Sequence, residues 1–185
     1  MLLEPRWRGA AIDRVLNERH AAMAEAVTRL LVDEGWDVRP EVSFSHFGER
    51  GVVDLVAWHA MHRTLLLVEI KTELTDVNGL LAVTGRRLRL AHVIAQPLGW
   101  TPATVAQWVV LASGRTNSRR LADHRAMIRA AFPSDGRSIA GWLRRPTTAA
   151  SVLWFLPNNL VARRGRTVAP TTRVRVHRPS VRQAD

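Results

Sequence analysis

The run Thr64–Leu74, TLLLVEIKTEL, decides how this chain is read. Leu65–Val68 are four consecutive aliphatic residues, the pattern of a strand buried on both faces. Glu69 and Lys71 then break into the same run. A buried charge is costly unless it is paired or bound to something. Side chains alternate along a strand, so Glu69 and Lys71 project to one face, and the run ends in a carboxylate and an ammonium side by side.

Immediately upstream, Val52–His59, VVDLVAWH, reads as another strand, and the short link Ala60–Arg63 makes the two a hairpin. A symmetric turn centred between Met61 and His62 sets Asp54 directly opposite Glu69, with Cβ atoms about 4.5–5.5 Å apart. Two carboxylates that close repel unless something positive lies between them. A hard divalent cation with oxygen ligands, Mg²⁺ or Mn²⁺, is the usual solution. Lys71 would then stand beside the cation, able to orient a water or to stabilise charge developing on a phosphorus centre. The pattern points to metal-assisted phosphodiester hydrolysis. The competing reading is a cross-strand ion pair, in which Lys71 neutralises Glu69 or Asp54 on a half-exposed face.

The composition singles out the same residue. Of 27 basic residues 26 are arginine, and Lys71 is the only lysine. If basic positions were interchangeable, the lone lysine would fall here about one time in 27. Arginine is a broad, permanently charged fork, whereas lysine is a compact point charge whose pKa can be tuned. The position is read as needing the second kind.

Further out, Asp13–Glu34 reads as a helix ended by Gly35, with Ile12 just before it and Leu16, Met23, Val27 and Leu30 along one face at helical spacing. Trp36–Phe44 reads as a strand followed by a turn-rich loop, SHFGERG. Asp76–Gln96 is expected to be a second helix, Thr104–Ala112 a fourth strand, Ser118–Phe132 a third helix, and SVLWFLP a closing strand. The order αβββαβ, then α and β, defines an α/β protein with a mixed central sheet flanked by helices.

With those residues in place, GVVDLVAW followed by LLLVEIKTEL resembles the PD-(D/E)XK nuclease superfamily, which includes restriction endonucleases and archaeal Holliday-junction resolvases. That family has a restriction endonuclease-like αβββαβ core, with Asp near the start of the second strand and Glu-x-Lys at the end of the third. The resemblance covers roughly Asp13 to Ala112 and implies that Asp54 and Glu69 bind metal while Lys71 helps to activate water. It implies Mg²⁺ or Mn²⁺ as cofactor and DNA, double-stranded or branched, as partner, and leaves a homodimer open. Val53 precedes Asp54 where the family often has proline, and the absence of tyrosine removes the glutamine–tyrosine helix motif of the RecB-like branch. The segments RWRGAAIDRVLNERHA, EVSFSHFGERG and EIKTELTDV are also similar to an uncharacterised actinobacterial nuclease-like domain often found after a helix-turn-helix. The chain begins where that helix-turn-helix would end, so no such module is expected here.

A fourth acid often comes from the first helix in this family. Glu25 stands ten residues before Gly35 and matches the family spacing, and Glu18 lies two turns earlier. A first hairpin turning near Phe47 places Glu41 opposite Asp54, about 20 Å along the strand. The same distance walked back along the helix lands near residue 21, between the two candidates. Spacing favours Glu25, and for either acid a solvated helix charge is the competing reading. Glu41 is a candidate extra carboxylate, and Glu49 lies near the site. Glu73 is expected beyond the sheet, His59 and His62 as exposed turn residues, and the seven tryptophans as core. Arg86, Arg87 and Arg89, with Arg115, Arg119 and Arg120, suit either phosphate contact or a solvated helix face.

Bulk composition bounds the rest. At 185 residues with 46% hydrophobic content the chain can bury one substantial core. It has no cysteine, which excludes disulfides and thiolate metal sites and suits a reducing cytoplasm. Apolar runs are too short to span a membrane, and Glu4, Arg6 and Arg8 interrupt any signal-peptide core. The net charge of +11 suits a polyanionic partner. Residues 1–160 are expected to form the nuclease-like domain and 161–185 a basic, disordered tail. From Ala162 onward the tail has seven arginines against one acid, a net +6, which leaves +5 for the domain. The alternative function is a catalytically inactive DNA-binding or regulatory protein that keeps the nuclease fold.

Overall fold

A computed structural model describes residues 7–134 and 136–162. The tail expected from 161 onward lies outside the described residues beyond Ala162, as does the side chain of Ile12. The elements follow the order α1 (Trp7–Asp33), β1 (Asp37–His46), β2 (Glu49–His59), β3 (Thr64–Lys71), α2 (Val77–Arg89), α3 (Ala91–Ala95) and β4 (Thr104–Ala112). Then come α4 (Arg115–Asp123), α5 (Arg125–Ala131), α6 (Ile139–Arg144), β5 (Ser151–Leu156) and α7 (Asn158–Ala162). The five strands form one mixed sheet in the order β1-β2-β3-β4-β5, antiparallel from β1 to β3 and parallel from β3 to β5. Among the described residues no helix is long and apolar enough to cross a membrane.

β3 is the central strand, and Thr64–Ile70 are all buried. Leu66, Val68 and Ile70 pack with Met23, Val27 and Leu31 of α1 on one side of the sheet. Leu65 and Leu67 pack with Leu90 and Ile94 on the other. Each fully buried aliphatic here contributes about 2 kcal/mol of hydrophobic stabilisation. The aliphatic run Leu65–Val68 is thus explained by helices on both faces of a central strand. Trp36 and Trp108 are buried in the α1-side core, whereas Trp58 and Trp100 are half-buried and stack on each other at 5.8 Å.

Thr104–Ala112 is a strand with the expected bounds, and four other expectations need correction. The segment SHFGERG is not a loop: both strands run on to a two-residue turn at Phe47-Gly48, closed by the pair His46↔Glu49. Both turn residues have positive φ, +44° and +82°, the signature of a type I′ turn, whose twist matches that of the strands. The expected helix Asp76–Gln96 breaks at Leu90, where ψ rises to 10°. Ser118–Phe132 breaks at His124 in the same way, with ψ of 24°, and its first part begins earlier, at Arg115. His59 is buried edge-on against Trp36 rather than exposed, and burial lowers its pKa.

Candidate active site

The β2–β3 hairpin has the expected register, running from His59↔Thr64 to Leu55↔Val68. Extended by one rung it sets Asp54 against Glu69, but the backbone ladder stops one rung short. The two strands fork there. Asp54 turns its side chain into the gap, and its Oδ2 accepts a hydrogen bond of 2.7 Å from the Ile70 N–H. On the other side Arg87 donates to the carbonyl of Val52 at 2.5 Å and to Oε2 of Glu69. Side chains thus satisfy the backbone groups that the fork frees, as buried polar groups require.

The alternation of faces also changes at this point. Val38, Leu55 and Ala57 belong to the α1-side core, whereas Val42 and Val53, of the same parity along their strands, belong to the opposite one. Glu41, on the rung facing Asp54, has φ of +49° and is exposed. The distal half of the β1–β2 hairpin is therefore rotated about its axis at the Glu41–Asp54 rung.

Glu69 is the buried centre of the site, its side chain 5% exposed between two cations. Lys71 Nζ lies 2.7 Å from Oε1, and Arg87 holds Oε2. The cations differ in freedom, since the Lys71 side chain is 41% exposed and that of Arg87 only 11%. The strand end carrying Lys71 is fixed by the buried Asn117 of α4. Its amide donates to Thr72 O at 3.1 Å and Ala112 O at 2.9 Å, and its carbonyl accepts from Leu74 N at 2.9 Å.

Two residues at the site escaped the sequence reading. His20 of α1 stands with Nε2 3.5 Å from Oδ2 of Asp54. It continues the inward stripe of Met23, Val27 and Leu31, being seven residues before Val27. The distance along α1 that lands near residue 21 falls on the turn that carries His20. Glu25 is corrected accordingly: it lies about 140° around the helix from His20. Its carboxylate pairs with Arg29 one turn on at 2.6 Å, and its side chain is 60% exposed. Glu18 is exposed as well, about 160° from His20. Arg87 was grouped with Arg86 and Arg89 as a phosphate-facing or solvated run. It instead extends the buried stripe Val77, Leu80 and Thr84 at helical spacing. Arg86 and Arg89 are tied to Glu49, and Arg120 to Glu73.

The charges are mutually adjusted. Pairing with Asp54 raises the pKa of His20; burial works against it, and the charges of Asp54 and Glu69 add to it. Burial pushes the Asp54 pKa upward, but hydrogen bonds from His20 and the Ile70 N–H, with the charges of His20 and Arg87, outweigh it and hold the carboxyl below its ordinary range. The raised His20 pKa gives stability that is complete below the unfolded value near 6.5 and fades as pH rises through the folded value. The lowered Asp54 pKa gives stability that is complete above about 3.8 and fades only in stronger acid. We expect wild type to exceed His20→Gln by its largest margin between pH 4 and 6.5, and the margin to shrink above that. The difference should be about 0.5 kcal/mol, because His20 is 40% exposed and water screens the pair. Urea unfolding of both proteins from pH 4.5 to 8.5 measures it, and a margin independent of pH would refute the pairing.

No family model matches the chain, and no curated protein matches it. A solved structure described as a protein of unknown function, AF1548, is similar at 11% identity with a TM-score of 0.35, over 68% of this chain and 78% of its own. A likeness that distant carries no argument, and what the site does has to be reasoned from its own residues.

Proposed function

We infer that this chain is a divalent-metal-dependent endonuclease acting on DNA, double-stranded or branched. One observation carries the reading: the only lysine of the chain lies 2.7 Å from Glu69 where β2 and β3 fork, with the Asp54 carboxylate held on the neighbouring Ile70 N–H. The resemblance to the PD-(D/E)XK superfamily and the net charge of +11 support it.

The donor chemistry fits Mg²⁺ or Mn²⁺. Among the described residues no three acids or histidines form a metal cage. Mg²⁺, however, is ordinarily held by one or two carboxylates together with waters and substrate phosphate, which asks for no more than Asp54 and Glu69. Such an ion would neutralise phosphate charge and lower the pKa of a bound water. The Ile70 N–H and His20 hold Asp54 ionised and ready as a ligand. Arg87 keeps Glu69 oriented and cannot leave, whereas Lys71 can release Glu69 and turn towards a phosphate. There its Nζ can donate to a phosphoryl oxygen as charge builds on it or, in the neutral amine form after losing its own proton to solvent, take a proton from the attacking water.

A second reading, a DNA-binding protein without catalysis, is favoured by one observation: Lys71 and Arg87 already neutralise Glu69. Incubation with linear, nicked and four-way-junction DNA separates the two. We expect cleavage with Mg²⁺ or Mn²⁺ that EDTA abolishes and that Asp54→Asn lowers by at least about 10²-fold. Salt-sensitive binding with no cleavage of any form would establish the second reading.

A further inference from the structure

We propose that the tip of the β1–β2 hairpin is a wedge whose Phe47 inserts between base pairs of duplex DNA. The proposal rests on the DNA-hydrolase reading and adds a contact to it. The hairpin is built as a finger on the same end of the sheet as the site. The β2–β3 ladder ends at Leu55↔Val68, and Phe44↔Gly51, Ser45↔Arg50 and His46↔Glu49 pair further along the hairpin, past the fork. Six residues at about 3.4 Å each set the tip within about 20 Å of Asp54, the span of about six base pairs.

The finger is stiff. The Phe44 ring lies over Gly51, so close that a Cβ at Gly51 would stand 3.0 Å from it. Arg89 grips Glu49 with two bonds of 3.0 and 2.8 Å, and Arg86 approaches the same carboxylate at 3.8 Å, bracing the finger against α2.

Phe47 is the wrong residue for the fold alone. A single exposed apolar side chain is ordinary and asks for no explanation. Phe47 is 94% exposed and also occupies a left-handed position, φ +44°, at a type I′ turn where Asn-Gly is the favoured pair. Its ring meets that of His46 edge-on, with centroids 4.4 Å apart. The strain and the exposure gain the fold nothing, and strain of this kind points towards function. Next to the turn stand Glu49 and Arg50, and Arg86 and Arg89 of α2 pair with Glu49, leaving an excess of positive charge suited to phosphates on either side of an opened step. An aromatic wedge between base pairs, with cations on the backbone, is an established way of bending duplex DNA.

Phe47→Asn tests this cleanly, because it restores the preferred turn and cannot be blamed for misfolding. The full chain without divalent metal is titrated into a duplex containing 2-aminopurine, whose fluorescence rises on unstacking. We expect wild type and Phe47→Trp to raise the fluorescence. Phe47→Asn should not, and should bind roughly 5- to 100-fold more weakly, the worth of one stacked base, while its Tm is unchanged or higher. Equal affinity and unstacking by Phe47→Asn would overturn the wedge. So would a loss of self-association on sedimentation with DNA binding intact, which would make the tip a contact between copies. A wedge that persists in a protein that never cleaves removes the hydrolase reading alone. Asp54-dependent cleavage with no wedge removes this proposal alone, and no duplex binding by wild type removes both.

Discussion

If the chain cleaves DNA as proposed, Lys71→Arg is expected to lower single-turnover cleavage by about 10²- to 10⁴-fold while leaving DNA binding and folding intact, because the position needs more than a positive charge. Lys71 Nζ lies 2.7 Å from one oxygen of Glu69 with its side chain 41% exposed, so it can leave that oxygen and work on a phosphate. An arginine there would grip the carboxylate with two donors and stay. It is also too basic to exchange a proton near neutral pH. The ion-pair reading predicts the reverse, since arginine serves a carboxylate at least as well as lysine does. Measuring cleavage under Mg²⁺ or Mn²⁺ beside a binding titration and a thermal melt decides between them. Equal cleavage by both proteins sinks the catalytic role of Lys71.

The largest stability effect is expected at the other half of the clamp. Glu69→Gln removes the charge that faces Arg87, whose side chain is only 11% exposed and has no easy route to water. An uncompensated buried charge costs about 3 kcal/mol, and Arg87→Met should cost less than that, because Lys71 still faces Glu69. The double variant should lose far less than the sum, with about 1 kcal/mol remaining because the Val52 carbonyl has lost its donor. Urea denaturation of the four proteins closes the cycle. Strictly additive losses would show that Arg87 and Glu69 do not act as a pair.

The register of the β2–β3 hairpin, from His59↔Thr64 to Leu55↔Val68, was legible because it depends on local facts. The link Ala60–Arg63 is short, strand side chains alternate, and a symmetric turn admits one register. The αβββαβ order was legible for the same reason, since apolar periodicity switches at Gly35, Pro97 and Gly99. Helix breaks at Leu90 and His124 were not, because neither residue is a breaker by nature. The loop expected at SHFGERG was misread because a phenylalanine at a left-handed turn position goes against preference.

What the sequence determined by itself was an α/β chain with a two-sided central strand and two carboxylates and a lone lysine brought to one end of it. Periodicity and turn length are enough for that. Only the tertiary structure decided which other groups join them. His20 reaches Asp54 because α1 crosses the sheet at that turn, and Arg87 reaches Glu69 because α2 lays its inward stripe over the fork. Both sit on stripes otherwise apolar, where pattern alone cannot tell a residue that meets a core from one that meets a buried carboxylate. Glu25 had the better spacing in the chain, but it lies on the side of α1 that carries its pairing with Arg29 in water. Helix spacing states which residues share a face; what that face meets is settled only when the helix packs.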